Sequence, residues 1–251
     1  MNPVDFSSSM LATLGALGRG TVGSNRAQQP EQPLELYEME GCPFCRLVRE
    51  ALTELDLDVI VYPCPKNGKR FRPLVATMGG KQQFPYLYDP NTDTGLYESA
   101  DIIQYLYQHY SEQKAPATWQ IKAIKTPGSL VASSVRAGKG LRARAAKQNE
   151  KPLILYSFES SPFARPVREL LTELELNYEL KQMGRTQGSD WLLPPMRKRL
   201  APSYSPAQRN RRELLERTGR VAVPYLIDPN TGMDLFESAD IVAYLKSAYA
   251  K

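Results

Sequence analysis

A chain of 251 residues that is 42% hydrophobic and 24% charged fits a globular protein of one large domain or two of ordinary size, and composition does not choose between them. Nothing in it approaches the run of about 18 apolar residues that spans a bilayer, and three cysteines cannot build a disulfide scaffold; no membrane span is expected, and a reducing, cytoplasmic compartment fits best. The formal charge of +5 is uneven, with nine Lys or Arg against one acid over 114–151 and eight against two over 196–220. Such runs read as solvated linkers and loops, so nucleic acid or an anionic surface is the lesser reading.

The N-terminal segment 1–32 begins "MNPVDFSSSMLATLGALGRG", rich in Ser and small apolar residues, yet it lacks the basic lead and small-x-small cleavage site of a targeting peptide. Its "SMLATLGALGRG" at 9–20 returns in weak form as "SLVASSVRAGKG" at 129–140. The segment is therefore expected to belong to the fold unit, with an echo at about 129–151. An apolar strand-type run follows at Leu34, Leu36 and Tyr37. Next comes "EMEGCPFCRLVREAL" at 38–52, where Phe44, Leu47, Val48, Ala51, Leu52 and Leu55 recur at helical spacing and predict one apolar helix face. A second short strand, "DVIVY", leads to a polar helix-like stretch. "FPYLYD" and "LYE" then bracket an Asn-Thr turn as a hairpin. The last element starts at Ser99, which fits an N-cap, with Ile102, Ile103 and Leu106 on one side.

After a basic linker at 113–151 the same order repeats. "PLILYSFESSPFARPVRELLTELEL" at 152–176 aligns with "PLELYEMEGCPFCRLVREALTELDL" at 33–57 at an offset of 119 residues, Cys42 to Ser161. "VPYLIDPNTGMDLFESADIVAYL" at 223–245 aligns with "FPYLYDPNTDTGLYESADIIQYL" at 84–106 at an offset of 139, Pro85 to Pro224. The second copy thus holds 20 extra residues around "WLLPPMRKRLAPSYSPAQRN". Duplication followed by insertion predicts two domains, 33–112 and 152–251, each running strand, helix, strand, helix, strand, strand, helix.

The cysteines carry the chemistry of the first copy. Cys42 falls at the predicted helix N-terminus, where unpaired N–H groups and the macrodipole favour a thiolate. Pro43 suits the first helical position. Arg46 and Arg49 add positive field, and Glu38, Glu40 and Glu50 oppose it. Cys45, three positions on and less exposed, is placed as a resolving thiol. The alternatives are an inert structural pair or a metal site. Zinc takes about four ligands, and only Cys64 and His109 remain, far apart, so no metal is expected. Cys64, in "VYPCPKNG", reads as a plain loop thiol.

This order, with a CxxC at the first helix and a Pro opening the third strand, resembles the thioredoxin fold. "CPFC" is similar to a glutaredoxin active site, "CPFCRLVR" to Cys-type transferases of the omega and lambda classes, and "FPYL…YES" and "VPYL…FES" to the N-terminal domain of glutathione S-transferases. The resemblance covers roughly 34–110 and 153–249. It implies an α/β protein of two tandem thioredoxin-like domains with mixed four-stranded sheets. It also implies a cis Pro85 that presents the backbone of Phe84 to the cysteinyl part of glutathione, Glu98 for the γ-glutamyl ammonium, and Ser99 with the following N–H groups for its carboxylate. Taken alone, the Glu-Ser pair would be an ordinary helix cap.

In the second copy Ser161 stands at the nucleophile position, as in Ser-type transferases, and Ala164 removes the resolving thiol. Ser161, Val223, Pro224, Glu237 and Ser238 form a second candidate site, either a Ser-type glutathione site or a degenerate copy kept for packing. Pro166, which disfavours helical geometry at Arg165, weighs against the first. The transferases also carry an all-helical domain that supplies the electrophile pocket, and residues 111–151 are too short and too rich in Gly, Lys and Arg to replace it. The implied function is a glutathione-linked thiol–disulfide oxidoreductase acting through Cys42 and Cys45, with glutathione as cofactor and disulfide-containing proteins or small molecules as substrates. A transferase-like enzyme and a non-catalytic glutathione-binding or scaffold protein remain as alternatives.

Overall fold

The computed structural model describes residues 19–24, 27–111, 114–116, 119 and 138–251. Most of the echo between 9–20 and 129–140 lies outside these residues. In the first half the chain forms β1 (Leu34–Glu38), α1 (Pro43–Leu55), β2 (Val59–Pro63), α2 (Arg72–Gly79), β3 (Tyr86–Asp89), β4 (Thr94–Tyr97) and α3 (Ser99–Tyr110). The second half follows with β5 (Leu153–Ser157), α4 (Arg165–Glu173), β6 (Tyr178–Gln182), a 3-10 turn at Gly188–Trp191, α5 (Pro194–Leu200), α6 (Arg209–Thr218), β7 (Tyr225–Asp228), β8 (Met233–Phe236) and α7 (Ser238–Tyr249).

Helix α1 shows how the sequence sets its own limits. Pro43 occupies the first turn, where its missing N–H costs nothing. At the other end Asp56 turns left-handed at φ 60°, and the Leu57 N–H returns to the Leu52 carbonyl at 3.0 Å. The second half repeats this stop with Glu175 at φ 51° and Leu176 N–H on the Leu171 carbonyl at 3.0 Å.

Two separate four-stranded sheets were expected, and the protein has one mixed sheet of eight strands in the order β4-β3-β1-β2-β6-β5-β7-β8. Within each half the first two strands are parallel and the hairpin is antiparallel. The halves join where β2 and β6 pair antiparallel, through Val59–Leu180, Ile60–Glu179 and Val61–Tyr178. The pair is centred on two residues that are equivalent in the repeat. The physical reason is the edge: each of these strands would leave a row of unpaired N–H and C=O groups, and each satisfies the other.

Alternation along the strands sends side chains to two faces. On one face a single apolar cluster runs through both halves, from Leu36, Val48, Leu52 and Ile103 to Leu155, Val167, Leu171 and Ile241. The opposite face holds two smaller clusters, Tyr37, Cys64, Phe71, Val75 and Tyr86 in the first half and Tyr156, Phe158, Met183, Leu214, Val221 and Tyr225 in the second. The expected apolar face of α1 is buried except for Phe44, which is 48% exposed. Its other face is buried too, because Arg46 and Arg49 lie against Glu159 of the second half and Glu50 against Arg46 and Arg19.

The segments preceding each half cross over to the other. Gly23 N–H donates to the Arg185 carbonyl at 3.0 Å and Arg185 N–H to Thr21 at 2.8 Å. Reciprocally, Lys66 N–H donates to Leu141 at 2.6 Å and Ala143 N–H to Lys66 at 2.9 Å. Gly20 (φ +67°) and Gly140 (φ +69°) take matching places, where a Cβ would lie 2.8 Å from the Glu159 Cβ and 2.9 Å from the Glu40 Cβ. Residues 138–147, inside the basic segment, are thus docked on the fold, and Ala146 also bridges Ala250. Among the described residues no helix is long and apolar enough to cross a membrane.

Candidate functional site

Strand register gathers the residues singled out from the sequence at one end of the sheet. Tyr37 pairs with Tyr86 and Tyr86 with Tyr97, so the loop to Cys42, the Phe84–Pro85 bond and the Glu98–Ser99 pair all leave adjacent strands at the same end. Tyr156, Tyr225 and Phe236 do the same for Ser161, Val223–Pro224 and Glu237–Ser238. Both X–Pro bonds are cis, as the resemblance implied.

Cys42 is the N-cap of α1, with extended backbone (φ −81°, ψ 123°), and its Sγ accepts the Cys45 N–H at 3.4 Å. Its thiol is lowered to about 7. The first cause is a hydrogen bond from the Cys45 thiol, helped by the N–H groups of Cys45 and Phe44 and by the charge of Arg49, all working against burial. Cys45 is fully buried, and burial and then its bond to Cys42 push its own thiol well up. One sulfur is thus prepared to be an anion and its neighbour to hold a proton.

The nearby charges do more than tune this thiol. Arg49 contacts Glu38, reaches the Glu159 carboxylate at 2.8 Å through Nε and donates to the Glu40 carbonyl at 3.1 Å. Arg168, its counterpart, is bidentate to Glu40 at 3.0 Å. Arg46, expected to add field at Cys42, is instead paired with Glu50 at 3.0 Å. The sequence reading missed this cluster. The signal was there, since the Arg-x-x-Arg-Glu run survives in both copies, as Arg46, Arg49, Glu50 and Arg165, Arg168, Glu169, while both cysteines do not.

At α3 the structure moves the cap by one residue. Glu98, not Ser99, is the N-cap, with φ 62° and an exposed carboxylate that accepts from the Gln83 amide. Glu237 repeats the conformation at φ 65°. A left-handed non-glycine residue at the same place in both halves is a strained position retained twice. Phe84 is half-buried under the Arg72 guanidinium, 4.6 Å from its ring centre. Cys64 is not an exposed loop thiol: it is fully buried, its Sγ–H donates to the Tyr62 carbonyl at 3.4 Å, and burial pushes its titration up.

In the second half Pro166 sits in the first turn of α4, and the helix opens at Arg165. Ser161 nevertheless accepts the Ala164 N–H at 3.2 Å, as Cys42 does from Cys45. Ser161 and Val223 share the lining of a cavity of about 350 Å³ with Phe158 and Phe163, and the inserted segment closes it with Trp191, Leu192 and Leu193. Pro224, Glu237 and Ser238 lie outside that lining.

The family model of the glutathione S-transferase N-terminal domain matches residues 36–114 and again 155–251. The glutathione S-transferase-like protein tpcF of Aspergillus fumigatus is 38% identical over 98 residues, which cover 38% of this chain and 43% of that protein. Among solved structures, the Bombyx mori glutathione transferase BmGSTD1 aligns with a TM-score of 0.31 and 27% identity, over 38% of this chain and 45% of its own. The Leishmania trimeric glutathione transferase TDR1 aligns at 0.28 and 13% identity, over 88% and 68%. The chain spans less than half the length of the first two. With the family model matching both copies, over most of the chain, the protein belongs to the family of the glutathione S-transferase N-terminal domain.

Proposed function

We propose that the protein is a glutathione-linked thiol–disulfide oxidoreductase whose first half does the chemistry. The observation that carries this reading is the pair at the start of α1: Cys42 lowered to about 7, with Cys45 buried and protonated behind it. The Cys42 thiolate attacks a glutathionyl disulfide, forming a Cys42–glutathione bond and releasing the substrate thiolate, which takes up a proton. A glutathione thiolate then attacks the glutathionyl sulfur, returning Cys42 as thiolate and leaving oxidised glutathione. In the dithiol route Cys45 loses its proton, attacks the Cys42 sulfur and expels glutathione, and the resulting disulfide is reduced by two further glutathiones. The backbone of Phe84 beside Pro85, with Glu98, Ser99 and the free N–H groups of α3, would hold the tripeptide.

The family supports a glutathione-related role, and a transferase reading draws on the same match. Turnover distinguishes them. Cys42→Ser should abolish glutathione-dependent disulfide reduction, and Cys45→Ser should keep a monothiol reaction and accumulate a Cys42–glutathione adduct visible by mass spectrometry. Conjugation of glutathione to an electrophile without any disulfide reduction would favour the transferase.

A further inference from the structure

Helix α5 reverses the pattern of an ordinary surface helix, which buries its apolar stripe and shows its charges to water. Among the described side chains of α5 only Arg197 is buried, while Leu193 at the N-cap, Met196 and Leu200 are 60%, 49% and 62% exposed. Arg197 accounts for the reversal. It donates to the carbonyls of Ser189 (3.1 Å), Leu192 (2.7 Å) and Val221 (3.0 Å), and its guanidinium lies 4.4 Å from the Tyr204 ring centre. A polar anchor thus fixes the helix and leaves its apolar residues on the water side. Just upstream, Trp191 rests against the Arg185 guanidinium, 4.3 Å from its ring centre, and is still 56% exposed. Met196 and Leu200 lie outside the lining of the cavity beside Ser161, so this apolar row is more than the wall of that cavity.

The charges around the row have one sign. From Trp191 to Arg212 the sequence holds six cations and no carboxylate. Arg209 is paired with Asp58 at 2.6 Å, Arg211 donates to the Gly184 and Met183 carbonyls, and Arg212 donates to that of Ala207 at 3.2 Å. Lys198 and Arg199 are exposed and, among the described residues, make no ion pair. The preceding acid, Asp190, is buried and accepts the Tyr204 hydroxyl at 2.6 Å.

We propose that α5 is a contact for an anionic bilayer surface: Trp191, Leu193, Met196 and Leu200 enter the headgroup boundary, and Lys198 and Arg199 stay among the negative headgroups. Exposed apolar side chains beside unneutralised cations are what such a surface holds, by buried area and by charge together, and tryptophan favours that boundary. A second copy of the chain is a poor occupant. A two-fold contact would set Lys198 and Arg199 against their own images, and four apolar side chains are few beside the roughly 20–30 residues a side of a stable protein interface.

The test is co-sedimentation of the whole chain with two kinds of vesicle, one of phosphatidylcholine alone and one of three parts phosphatidylcholine to one of phosphatidylserine. The mixed vesicles should bind at least about tenfold more tightly, and raised salt should erase most of that difference. Trp191 emission should shift to the blue on the mixed vesicles, and Trp191→Phe should remove the shift although the buried Trp119 remains. Leu193→Gln with Leu200→Gln should weaken binding by about tenfold or more. Lys198→Gln with Arg199→Gln should bring the mixed vesicles down to the level of the neutral ones. These four side chains are exposed, so the variants keep the packing of the fold, and an unchanged circular dichroism melt verifies it. Equal binding to both vesicles, binding to neither, or indifference to the leucine pair would overturn the proposal. So would self-association on gel filtration that the leucine pair abolishes, which would make the row a contact between copies. Retention on polyglutamate beads that the leucine pair weakens as much would overturn it as well, in favour of an acidic protein partner.

Discussion

At the scale of the residue, two positions share one hydrogen-bond pattern and differ by a single atom type. Cys42 and Ser161 both accept an N–H from three residues ahead, at 3.4 and 3.2 Å, but only sulfur becomes an anion near neutral pH. Alkylation gives the sign directly. The thiolate is the nucleophile, so the rate at Cys42 should climb with pH and level off above about 7, while Cys45 and Cys64, both pushed up, stay protonated and unreactive. A peptide mapped after iodoacetamide treatment at several pH values checks this, and a midpoint at the ordinary thiol value of about 8.5 would contradict it. Glu98 offers a second test. Glu98→Gly relieves a left-handed φ but loosens the unfolded chain, so stability should stay within about 0.5 kcal/mol; glutathione affinity, measured by calorimetry, should fall. The cysteines and the cis prolines were legible because the motif is written in residue types. The φ of Glu98 was not, because nothing about a glutamate announces a left-handed backbone.

At the scale of the element, the stop of α1 doubles as an anchor. Asp56, left-handed and 5% exposed, accepts from the Gln208 amide at 2.6 Å, and Gln208 caps α6 of the other half. Burial raises the Asp56 carboxyl to about 7, against a lowering by Gln208. A raised native value means that its stabilising effect is complete below about pH 4 and is lost as pH rises through about 7. Asp56→Asn keeps an acceptor for Gln208 and tolerates the left-handed turn. Its advantage in urea unfolding should therefore grow from about pH 4 and level off above about 7, at on the order of 2 kcal/mol. A gain independent of pH would show that Asp56 is not titrating in this range. The element order was readable in the first half, from the helical spacing in α1 and the Asn-Thr turn, and in the second except for the 3-10 turn and α5, which lie between β6 and α6 and have no counterpart in the first copy. The junction was not: "VIVY" in β2 looks the same whether its edge faces water or β6. The polar face of α1, likewise, is spelled as a solvated helix would be.

At the scale of the whole molecule, the halves are held by ion pairs that no half can make alone. Arg49 reaches Glu159 and Arg168 reaches Glu40, all nearly inaccessible to solvent. Removing one partner leaves buried carboxylates uncompensated, so Arg49→Ala should cost about 3–5 kcal/mol in chemical unfolding. For the same reason residues 152–251 expressed alone should not form a stable monomer. They would expose the β6 edge together with Glu159 and Arg168, and gel filtration with circular dichroism would show association or disorder. A well-folded monomeric half would refute the account of the junction. The pairing of β2 with β6 has a further consequence. An assembly of two identical chains across such an edge would receive every mutation twice, at both sites together. Joined in one polypeptide, the two sites inherit independently: one position can keep its sulfur while the other loses it, and twenty residues can enter beside one without crowding the other. The covalent link turns a symmetric partnership into a division of labour.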